Sequence, residues 1–381
     1  MKKVLIVINN LNVGGIQKSL LNLLQNCSED YDFSLLTFSQ EETDKDKLPK
    51  SVKLIKANKI YKALGKSSGQ LKSNKFLFLI RGLCACVSKM FSSSFAYWLI
   101  GLFQPKIKGY DTVISFSHLT SPKTFYSGTA EFVLNKTKSN NKVCFIHCDY
   151  LNSGTRCKRN DRLYARFDKI ACCSESVKNR FLEALPNLEE KAYAVRNFYD
   201  LDFKNSVKDE EAFKYDTATV NLLSVCRLGK EKGVDRVINA IAESGRTDIR
   251  YYVVGSGDYY ETLHSLAKEK NVERFVFFVP EVESPAIYMK NADWLVVASY
   301  HEAAPMVFDE ARMLQLPVFT TRTTSADEMV SKEFGVVVDN DDQSILNWVS
   351  KVGKKTALKE ESISNEIQHN QFRKLMGESL R

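Results

Sequence analysis

Residues 4–16 of the chain read VLIVINNLNVGGI. Five apolar residues in succession are typical of a buried strand with helices on both faces, and the paired glycines lie in the loop that follows it. Apolar side chains then recur at helical spacing, at Ile16, Leu20, Leu23, Leu24 and Cys27. A buried strand, a glycine loop and an amphipathic helix in this order predict a βα unit of a parallel sheet.

The same alternation continues along the chain in two blocks. The first contains seven predicted strands, at 4–9, 33–38, 52–55, 111–116, 142–146, 168–173 and 192–195. The second contains six, at 221–226, 251–254, 275–278, 293–298, 317–321 and 335–338. A polar stretch at 200–217 is predicted to be the linker between them. We therefore predict two doubly wound α/β domains, at 1–200 and 201–381, that face a central cleft, with residues 354–381 as a terminal helical tail.

Length and composition agree with this organisation. The 381 residues are 44% hydrophobic and 26% charged, a mix that excludes disordered and fibrous proteins. The nine cysteines are scattered without a CxxC pair, which indicates a reducing compartment and no disulfide framework. We also expect no membrane span, because charges interrupt each apolar stretch before 18 residues. No signal peptide is expected either, because the N-terminal apolar run is short and no small-residue cleavage site follows it.

The net charge of +8 is concentrated in one segment. Residues 48–110 contain twelve lysines and arginines and no acidic residue, so the rest of the chain is negative. Such a segment indicates an anionic partner, either a membrane or a nucleic acid. Its aromatic residues lie in the apolar runs 76–80 and 95–100 rather than at spaced stacking positions, which favours lipid. We predict that this segment docks on an anionic membrane; the alternative is that its apolar residues are core and its lysines merely solvated.

Three cations follow the first strand of the second block. They are Arg227, Lys230 and Lys232, just before a predicted helix that begins near Val234. At the carboxyl end of a buried strand, Arg227 and Lys232 are placed to clamp the two phosphates of a leaving nucleotide. A solvated basic loop is the alternative.

A second candidate motif covers residues 300–311. Pro305 is predicted to lie in the first helical turn, with Glu302 in the preceding loop and Glu310 inside the helix. The amides of residues Ala304 to Met306 form a candidate anion site, and Glu310 is placed to accept hydrogen bonds from ribose hydroxyls. The helix dipole alone also favours acids near a helix start, so a structural role stays open.

Two histidines follow strands of the first block, His118 after residues 111–116 and His147 after 142–146. The pair is predicted to face the ligand-binding edge of the first sheet, although a lone histidine is often structural. Gly14 and Gly15 form a further candidate anion loop at the start of the first helix, where a purely structural turn is the alternative.

No convincing metal site emerges from the sequence. Cys144 and Cys148 flank a histidine, but no second ligand pair follows at zinc-site spacing, so buried thiols are the simpler interpretation. Asp339, Asp341 and Asp342 crowd a predicted surface turn and are interpreted as solvated.

Taken together, these motifs resemble glycosyltransferase family 4, whose members are retaining enzymes with the two-domain GT-B fold. The resemblance spans nearly the whole chain. It rests on a Gly-Gly loop, an R-x4-K-G segment and an E-x7-E motif. Their counterparts here are Gly14, Gly15, Arg227, Lys232, Gly233, Glu302 and Glu310.

The resemblance implies a Rossmann-like C-terminal domain that binds a nucleotide sugar. In it, Arg227 and Lys232 would bind the donor diphosphate and take part in catalysis. Glu310 would bind the ribose and the catalytic Glu302 the transferred sugar. The backbone near Glu281-Val282 would meet the base. UDP is the implied nucleotide, and no cofactor or metal is required.

The resemblance also implies an acceptor-binding N-terminal Rossmann-like domain. His118 would belong to its part of the sugar pocket as a fourth catalytic residue, and His147 with Asp149 would bind the acceptor. Gly14 and Gly15 would bind the donor. By similarity to bacterial exopolysaccharide enzymes, the acceptor would be a lipid-linked saccharide. From the apolar runs of the basic segment we expect no nucleic-acid partner. We expect a cytoplasmic protein that is peripheral on the inner face of the cell membrane.

Two positions depart from the family pattern. Ala303-Ala304 replaces the usual Gly-Phe after Glu302, and Cys226 replaces the usual glycine before Arg227. The first change puts the loop geometry and the donor identity in doubt. Two other functions stay open: a GT-B sugar-nucleotide epimerase, which needs no acceptor, and a non-catalytic anion-binding protein.

Overall fold

The computed structural model of the chain describes residues 1–12, 14–39, 46–66, 69–208, 211–356, 358 and 363–378. Of the predicted features, Val13 of the glycine loop, residues 67–68 of the basic segment, residues 209–210 of the linker, and residues 357, 359–362 and 379–381 of the tail lie outside the described residues. The chain divides into two compact units. Unit 1 is Met1–Phe198 with Asn365–Arg381, and unit 2 is Tyr199–Ser364.

Unit 1 contains a seven-stranded parallel sheet. Its strands are β1 (Lys2–Ile8), β2 (Tyr31–Thr37), β3 (Lys53–Lys56), β4 (Thr112–Ser115), β5 (Asn141–Ile146), β6 (Lys169–Cys172) and β7 (Ala192–Ala194), in the order β3-β2-β1-β4-β5-β6-β7. The helices between them are α1 (Gly15–Cys27), α2 (Lys62–Gly65), α3 (Lys75–Met90), α4 (Ser93–Gly101), α5 (Thr129–Lys136), α6 (Lys158–Ala165) and α7 (Glu175–Ala184).

Unit 2 contains a six-stranded parallel sheet. Its strands are β8 (Val220–Val225), β9 (Ile249–Val254), β10 (Val276–Val279), β11 (Trp294–Val297), β12 (Val318–Thr321) and β13 (Gly335–Val338), in the order β10-β9-β8-β11-β12-β13. The helices are α8 (Val234–Ser244), α9 (Tyr260–Glu269), α10 (Ala286–Met289), α11 (Met306–Met313), α12 (Ala326–Met329) and α13 (Asp342–Val349); α14 (Glu366–Leu375) then returns to unit 1.

The opening stretch of sequence forms the centre of the first sheet. Val4–Ile8 are fully buried, because β1 pairs in parallel with β2 on one side and β4 on the other. The predicted apolar face of α1 packs on this strand through Leu20, Leu23 and Leu24. All thirteen predicted strands are confirmed, and so are the two doubly wound, Rossmann-like α/β folds.

Both sheets reverse their strand order at a single point. The reversal lies between β1 and β4 in unit 1 and between β8 and β11 in unit 2. Connections leave opposite faces of the sheet there, which opens a crevice at the carboxyl ends of the strands where α/β proteins bind ligands. The predicted glycine loop, His118, the basic loop and Glu302 all follow these four strands.

Two predictions about the unit boundaries are wrong. The terminal helix does not belong to the second domain, because Phe372 and Leu375 of α14 are buried in the core of unit 1. The stretch at 200–217 is not a simple polar linker either. Its apolar side chains Phe203, Val207 and Ala212 are buried in the core of unit 2. Within the described residues, every helix is too short or too polar to span a bilayer.

Candidate functional site

Two loops meet at the carboxyl edge of the second sheet, where its strand order reverses. One loop runs from Cys226 to Gly233, and the other follows β11 from Ala298. Gly233 has a φ of +66°, and a Cβ atom on it would lie 2.0 Å from the Ala298 carbonyl oxygen, so only glycine fits. The Tyr300 amide also donates to the Glu231 carbonyl at 2.9 Å. The two loops are therefore joined through their backbones.

Lys232 and Glu302 form an ion pair across these loops. Lys232 Nζ lies 2.7 Å from Glu302 Oε1, and Ser299 Oγ donates to the same carboxylate oxygen at 2.8 Å. The lysine side chain is 24% exposed and the glutamate 14%, so the pair is shielded but reachable from solvent. The sequence placed these residues in separate motifs, and the structure brings them together.

Arg227, the other predicted cation, lies on the surface of the same loop. Its side chain is 67% exposed and pairs with Glu231, four residues further along. An exposed pair of this kind contributes little to stability, so the guanidinium can leave Glu231 for an incoming anion at small cost. Leu228 is buried and anchors the backbone between the two cations.

A pair of glycines after β9 belongs to this edge, and the sequence analysis missed it. A Cβ on Gly255 would lie 1.9 Å from the Cys226 carbonyl oxygen, and one on Gly257 would lie 2.3 Å from that of Leu228. The Leu228 amide donates to the Ser256 carbonyl at 2.8 Å. Gly-x-Gly directly after a buried strand is the signal that could have identified this loop.

The loop after β10 reaches the same edge. Ser256 Oγ donates to Glu281 Oε2 at 2.8 Å, and Val282 packs half-buried against the core of unit 2. Loops after β8, β9, β10 and β11 thus converge on one edge of the second sheet. These contacts link the loops after β9 and β10 to the loop that carries Lys232.

Helix α11 presents the second motif glutamate. The helix begins at Met306, with Pro305 as its N-cap residue in an extended conformation (ψ 122°), so the prediction that Pro305 lies in the first helical turn is off by one residue. Ala304 precedes it in the loop. Glu310 lies inside the helix as predicted and is 8% exposed.

In unit 1 the predicted glycine loop lies at the start of α1. The helix begins at Gly15, Gly14 precedes it, and both glycines are exposed. Asn10 folds the loop before them: its Nδ2 donates to the Gly65 carbonyl at 2.8 Å, and its Oδ1 accepts from the Asn12 amide at 3.2 Å. The glycine backbone therefore remains accessible at the positive end of the helix dipole.

His118 and His147 lie near each other beyond the ends of β4 and β5. Burial lowers the pKa of His118 to about 4. Burial, and secondly repulsion from His118 when that ring is protonated, lower the pKa of His147 to about 3. Both imidazoles are therefore neutral at pH 7. Among the described residues, His118 Nδ1 and His147 Nε2 are buried without a hydrogen-bond partner. Neutral imidazoles with unused nitrogens are suited to bind hydroxyl groups.

Asp149 has a clear role in the fold of its own loop. Its carboxylate accepts from the Leu151 amide at 3.0 Å and the Asn152 amide at 3.3 Å, and it lies 3.4 Å from Arg180 Nε. The His147 ring instead lies against Phe116, with centroids 5.0 Å apart. The structure therefore places His147 near His118. The Asp149 carboxylate instead binds the backbone of the turn that follows it.

The cysteines around His147 are protonated. Burial raises the pKa of the Cys148 thiol to about 12 and that of Cys144 further still. Cys144 is buried in the core and Cys148 is half-buried. The described part of the chain contains no group of three or more His, Cys, Asp or Glu residues arranged to hold a metal ion.

Residues 207–368 match the sequence model of a family described as Glycosyl transferases group 1. The match covers 162 of the 381 residues. This region contains the basic loop, the Gly-x-Gly loop and both motif glutamates. The match therefore includes the edge of the second sheet where Lys232 and Glu302 meet.

Relatives of the chain carry glycosyltransferase names. The capsular polysaccharide biosynthesis glycosyltransferase CapM of Staphylococcus aureus is 25% identical over 216 residues, 53% of this chain and 55% of CapM. A Campylobacter jejuni N-acetylgalactosamine-N,N'-diacetylbacillosaminyl-diphospho-undecaprenol 4-alpha-N-acetylgalactosaminyltransferase is 29% identical over 144 residues, 37% of this chain and 38% of the relative. The chain spans about half the length of the curated relatives it matches.

A solved structure resembles the chain over most of its length. Anabaena HepE, determined in complex with UDP and glucose, superposes on this chain with a TM-score of 0.66 and 16% sequence identity. The superposition covers 92% of this chain and 89% of HepE. At this identity the likeness establishes the fold alone. The region that matches the family model thus lies within a chain that shares its fold with HepE.

Proposed function

We propose that the protein is a retaining glycosyltransferase of the family 4 type, which moves a hexose from a UDP-sugar to a lipid-linked saccharide during assembly of a bacterial surface polysaccharide. The observation that carries this proposal is the 2.7 Å pair of Lys232 and Glu302 at the strand-order reversal of unit 2. A cation and a carboxylate side by side suit a donor whose diphosphate is anionic and whose sugar is rich in hydroxyls.

Each donor group has a proposed partner in unit 2. Lys232 and Arg227 bind the diphosphate and stabilise the charge that develops on it as the glycosidic bond breaks. The backbone N–H groups of Ala304 and Met306, on either side of the N-cap residue Pro305, add the positive end of the α11 dipole. Glu302 accepts hydrogen bonds from the sugar. The buried Glu310 binds the ribose, and backbone near Val282 contacts the base.

Unit 1 is proposed to bind the acceptor. His147, and Asp149 through its loop, lie there with His118, which we assign to hydroxyl recognition in the sugar pocket. Gly14 and Gly15 offer backbone amides to an anionic group. The Campylobacter relative is named for a diphospho-undecaprenol substrate, which supports a lipid-linked acceptor for this chain as well.

A ligand-stabilisation experiment tests the donor assignment. A ligand that binds only the folded protein adds about 2.7 kcal/mol of stability at 100 times its Kd, so saturating UDP-sugar should raise the melting temperature by several degrees. UDP-sugars should do so and GDP- or CMP-sugars should not. Conversion of the sugar nucleotide without an acceptor would identify an epimerase, and no shift with any nucleotide sugar would overturn the proposal.

We further propose that unit 1 docks peripherally on the anionic inner face of the cell membrane. The support comes from an apolar ridge on α3, α4 and the residues directly after each helix, defined by ten large side chains that are 44–72% exposed. They are Phe76, Phe78, Leu79, Leu83, Met90, Phe91, Phe95, Trp98, Leu102 and Phe103. Helix α3 has a buried stripe through Leu77 and Cys84 and a second, exposed apolar stripe on another face.

The structure divides the apolar runs of the basic segment between core and surface. Leu77, Tyr97 and Ile100, expected to insert into lipid, are buried in the protein. Phe95 and Trp98 stack at 5.7 Å on the exposed face of α4. An exposed apolar patch in a segment that carries a dozen cations suits a bilayer surface, where lysines meet lipid phosphates and aromatic rings lie at the headgroup boundary.

Vesicle sedimentation separates the two contributions. Changing Phe76, Leu79 and Leu83 to glutamine should weaken binding to phosphatidylglycerol vesicles roughly 100-fold, because each exposed side chain contributes about 1 kcal/mol when it enters the interface. Changing Lys53, Lys56, Lys59 and Lys62 to glutamine should instead remove the preference for anionic over neutral vesicles and its salt dependence.

The matched control is Ile367→Gln, because Ile367 on α14 is 56% exposed but far along the chain from the ridge. This variant should bind vesicles like the wild type. If the wild type ignores anionic vesicles and forms dimers that the ridge variant lacks, the ridge is a protein interface and the membrane proposal fails.

A further inference from the structure

Three successive carbonyl groups after β11 each accept a hydrogen bond from a side chain of a different element. Arg236 Nη1 of α8 donates to the Ala298 carbonyl at 3.0 Å. Thr321 Oγ1 of β12 donates to the Ser299 carbonyl at 2.8 Å. Asn340 Nδ2, after β13, donates to the Tyr300 carbonyl at 3.1 Å. Loop carbonyls at a sheet edge ordinarily face water, so this arrangement holds the loop in one place.

Arg236 is the centre of this network. It is 3% exposed, and its Nη1 also donates to Asn340 Oδ1 at 2.7 Å while its Nε donates to Asp342 Oδ1 at 2.6 Å. Its guanidinium carbon lies 4.6 Å from the centroid of the Tyr300 ring. A planar group with several fixed donors, stacked on an aromatic ring, specifies one geometry in a way that a lysine cannot.

The loop held in this way ends at Glu302. On its other side the Tyr300 amide donates to the Glu231 carbonyl, in the turn that carries Lys232. Beyond it, the Thr324 amide donates to the Glu302 carbonyl at 3.3 Å. These backbone hydrogen bonds hold the two loops in place on either side of the ion pair. They therefore determine where the Glu302 carboxylate meets Lys232, although the two side chains take no part in them.

We propose that Arg236 is a positioning residue: with Thr321 and Asn340 it fixes the Ala298–Glu302 loop and so sets the place of the Glu302 carboxylate. The inference rests on the proposed function, in which Glu302 binds the transferred sugar. Arg236 itself is buried behind the loop and touches neither donor nor acceptor in this assignment. Its effect on transfer passes through Glu302.

The Arg236→Lys variant keeps the positive charge but loses the planar guanidinium group and its several N–H donors. A misplaced carboxylate should lower kcat by roughly 10- to 100-fold, as expected for an ångström-scale shift, with the affinity for plain UDP unchanged within about twofold. Hydrogen exchange of the amides of residues 298–303 should become faster. This second readout needs no catalytic activity.

Arg246→Lys is the matched control. Arg246 also binds backbone carbonyls, those of Val349 at 3.1 Å and Val352 at 2.5 Å, and a carboxylate, that of Asp248 at 2.7 Å, in the same unit. It does not contact the Glu302 loop. This variant should lose comparable thermal stability while it keeps wild-type kcat and wild-type exchange at 298–303.

A double-mutant cycle decides whether Arg236 acts through Glu302. In a Glu302→Gln background, Arg236→Lys should lower kcat by less than about threefold further, because the group that it positions has already lost its charge. Multiplicative losses, or equal loop exchange in the two arginine variants, would show that Arg236 is only structural. A wild type that binds no nucleotide sugar would overturn the proposed function instead, while the exchange experiment still reports on the loop.

Discussion

Lys232→Ala is expected to lower the rate of sugar transfer by about 30- to 1000-fold. Loss of a charge-assisted contact to a leaving diphosphate raises the barrier by about 2–4 kcal/mol, since that charge is largest in the transition state. The structure adds a reason to expect the upper part of this range. Lys232 is only 24% exposed, and a half-buried cation is screened less by water than a surface one. Steady-state kinetics with a saturating acceptor measure the effect.

The variant should remain folded. Loss of the Lys232 ammonium leaves Glu302 with the Ser299 hydroxyl as a partner. The free energy of unfolding should therefore fall by about 1–2 kcal/mol, a loss between that for breaking a surface ion pair and that for breaking a buried one. Lys230→Ala is the control, because Lys230 lies in the same turn but is exposed. Arg227→Ala should also be impaired, while Lys230→Ala stays near wild type. Equal activity of the Lys232 and Lys230 variants would refute the clamp assignment.

Glu302→Gln is expected to separate turnover from nucleotide binding. Turnover should fall by about 100-fold, because the carboxylate that accepts hydrogen bonds from the sugar becomes a neutral amide. Affinity for plain UDP should rise by about 3- to 10-fold rather than fall. In the free protein this carboxylate neutralises Lys232 at 2.7 Å, and an incoming diphosphate must displace it.

Glu310→Gln provides the comparison for this prediction. Glu310 is buried inside α11, and the ribose that it is proposed to bind belongs to the nucleotide whether or not a sugar is attached. This variant should lose UDP affinity, by about tenfold for one charged hydrogen bond. Isothermal calorimetry with UDP decides the matter: equal affinity losses in both variants would contradict the division of roles.

The secondary structure of both units is predictable from the sequence because it is encoded locally. The run Val4–Ile8 is apolar throughout since helices cover both faces of β1, and the same holds for the inner strands of each sheet. The alternation of strands and helices also limits the strand order to a few alternatives, among which the structure decides. The site residues in the loops after β8 and β11 are also predictable, because each motif is continuous in sequence.

The terminal helix shows where local information stops. The sequence of residues 366–375 does not indicate against which domain the helix packs. Lys2 Nζ binds the Met376 carbonyl at 2.9 Å, a contact between residues more than 370 positions apart, and such contacts assign α14 to unit 1. Asp342 is exposed on its turn, as predicted, but the sequence did not show that it pairs with the buried Arg236. Asp341 accepts from the Ser344 amide as the N-cap of α13.

The ridge on α3 and α4 is a further case. A run such as residues 76–80 is compatible with core, lipid or both, because periodicity identifies apolar faces but not what covers them. The structure buries Leu77 and leaves Phe76 and Leu79 exposed. Only the packing of α3 on its neighbours decides which apolar stripe of the helix faces the protein.

By itself the sequence determined the two parallel sheets, the charged residues that the proposed chemistry needs and the loops that carry them, because each depends on neighbours within one βα unit. Only the tertiary structure decided that Lys232 and Glu302, seventy residues apart, share an ion pair, that Gly255 and Gly257 lie against the basic loop, and that Arg236 holds the loop of Glu302. Parallel strands place the ends of distant segments at one edge. Which side chains meet there depends on the packing of several loops at once, and no local pattern records it.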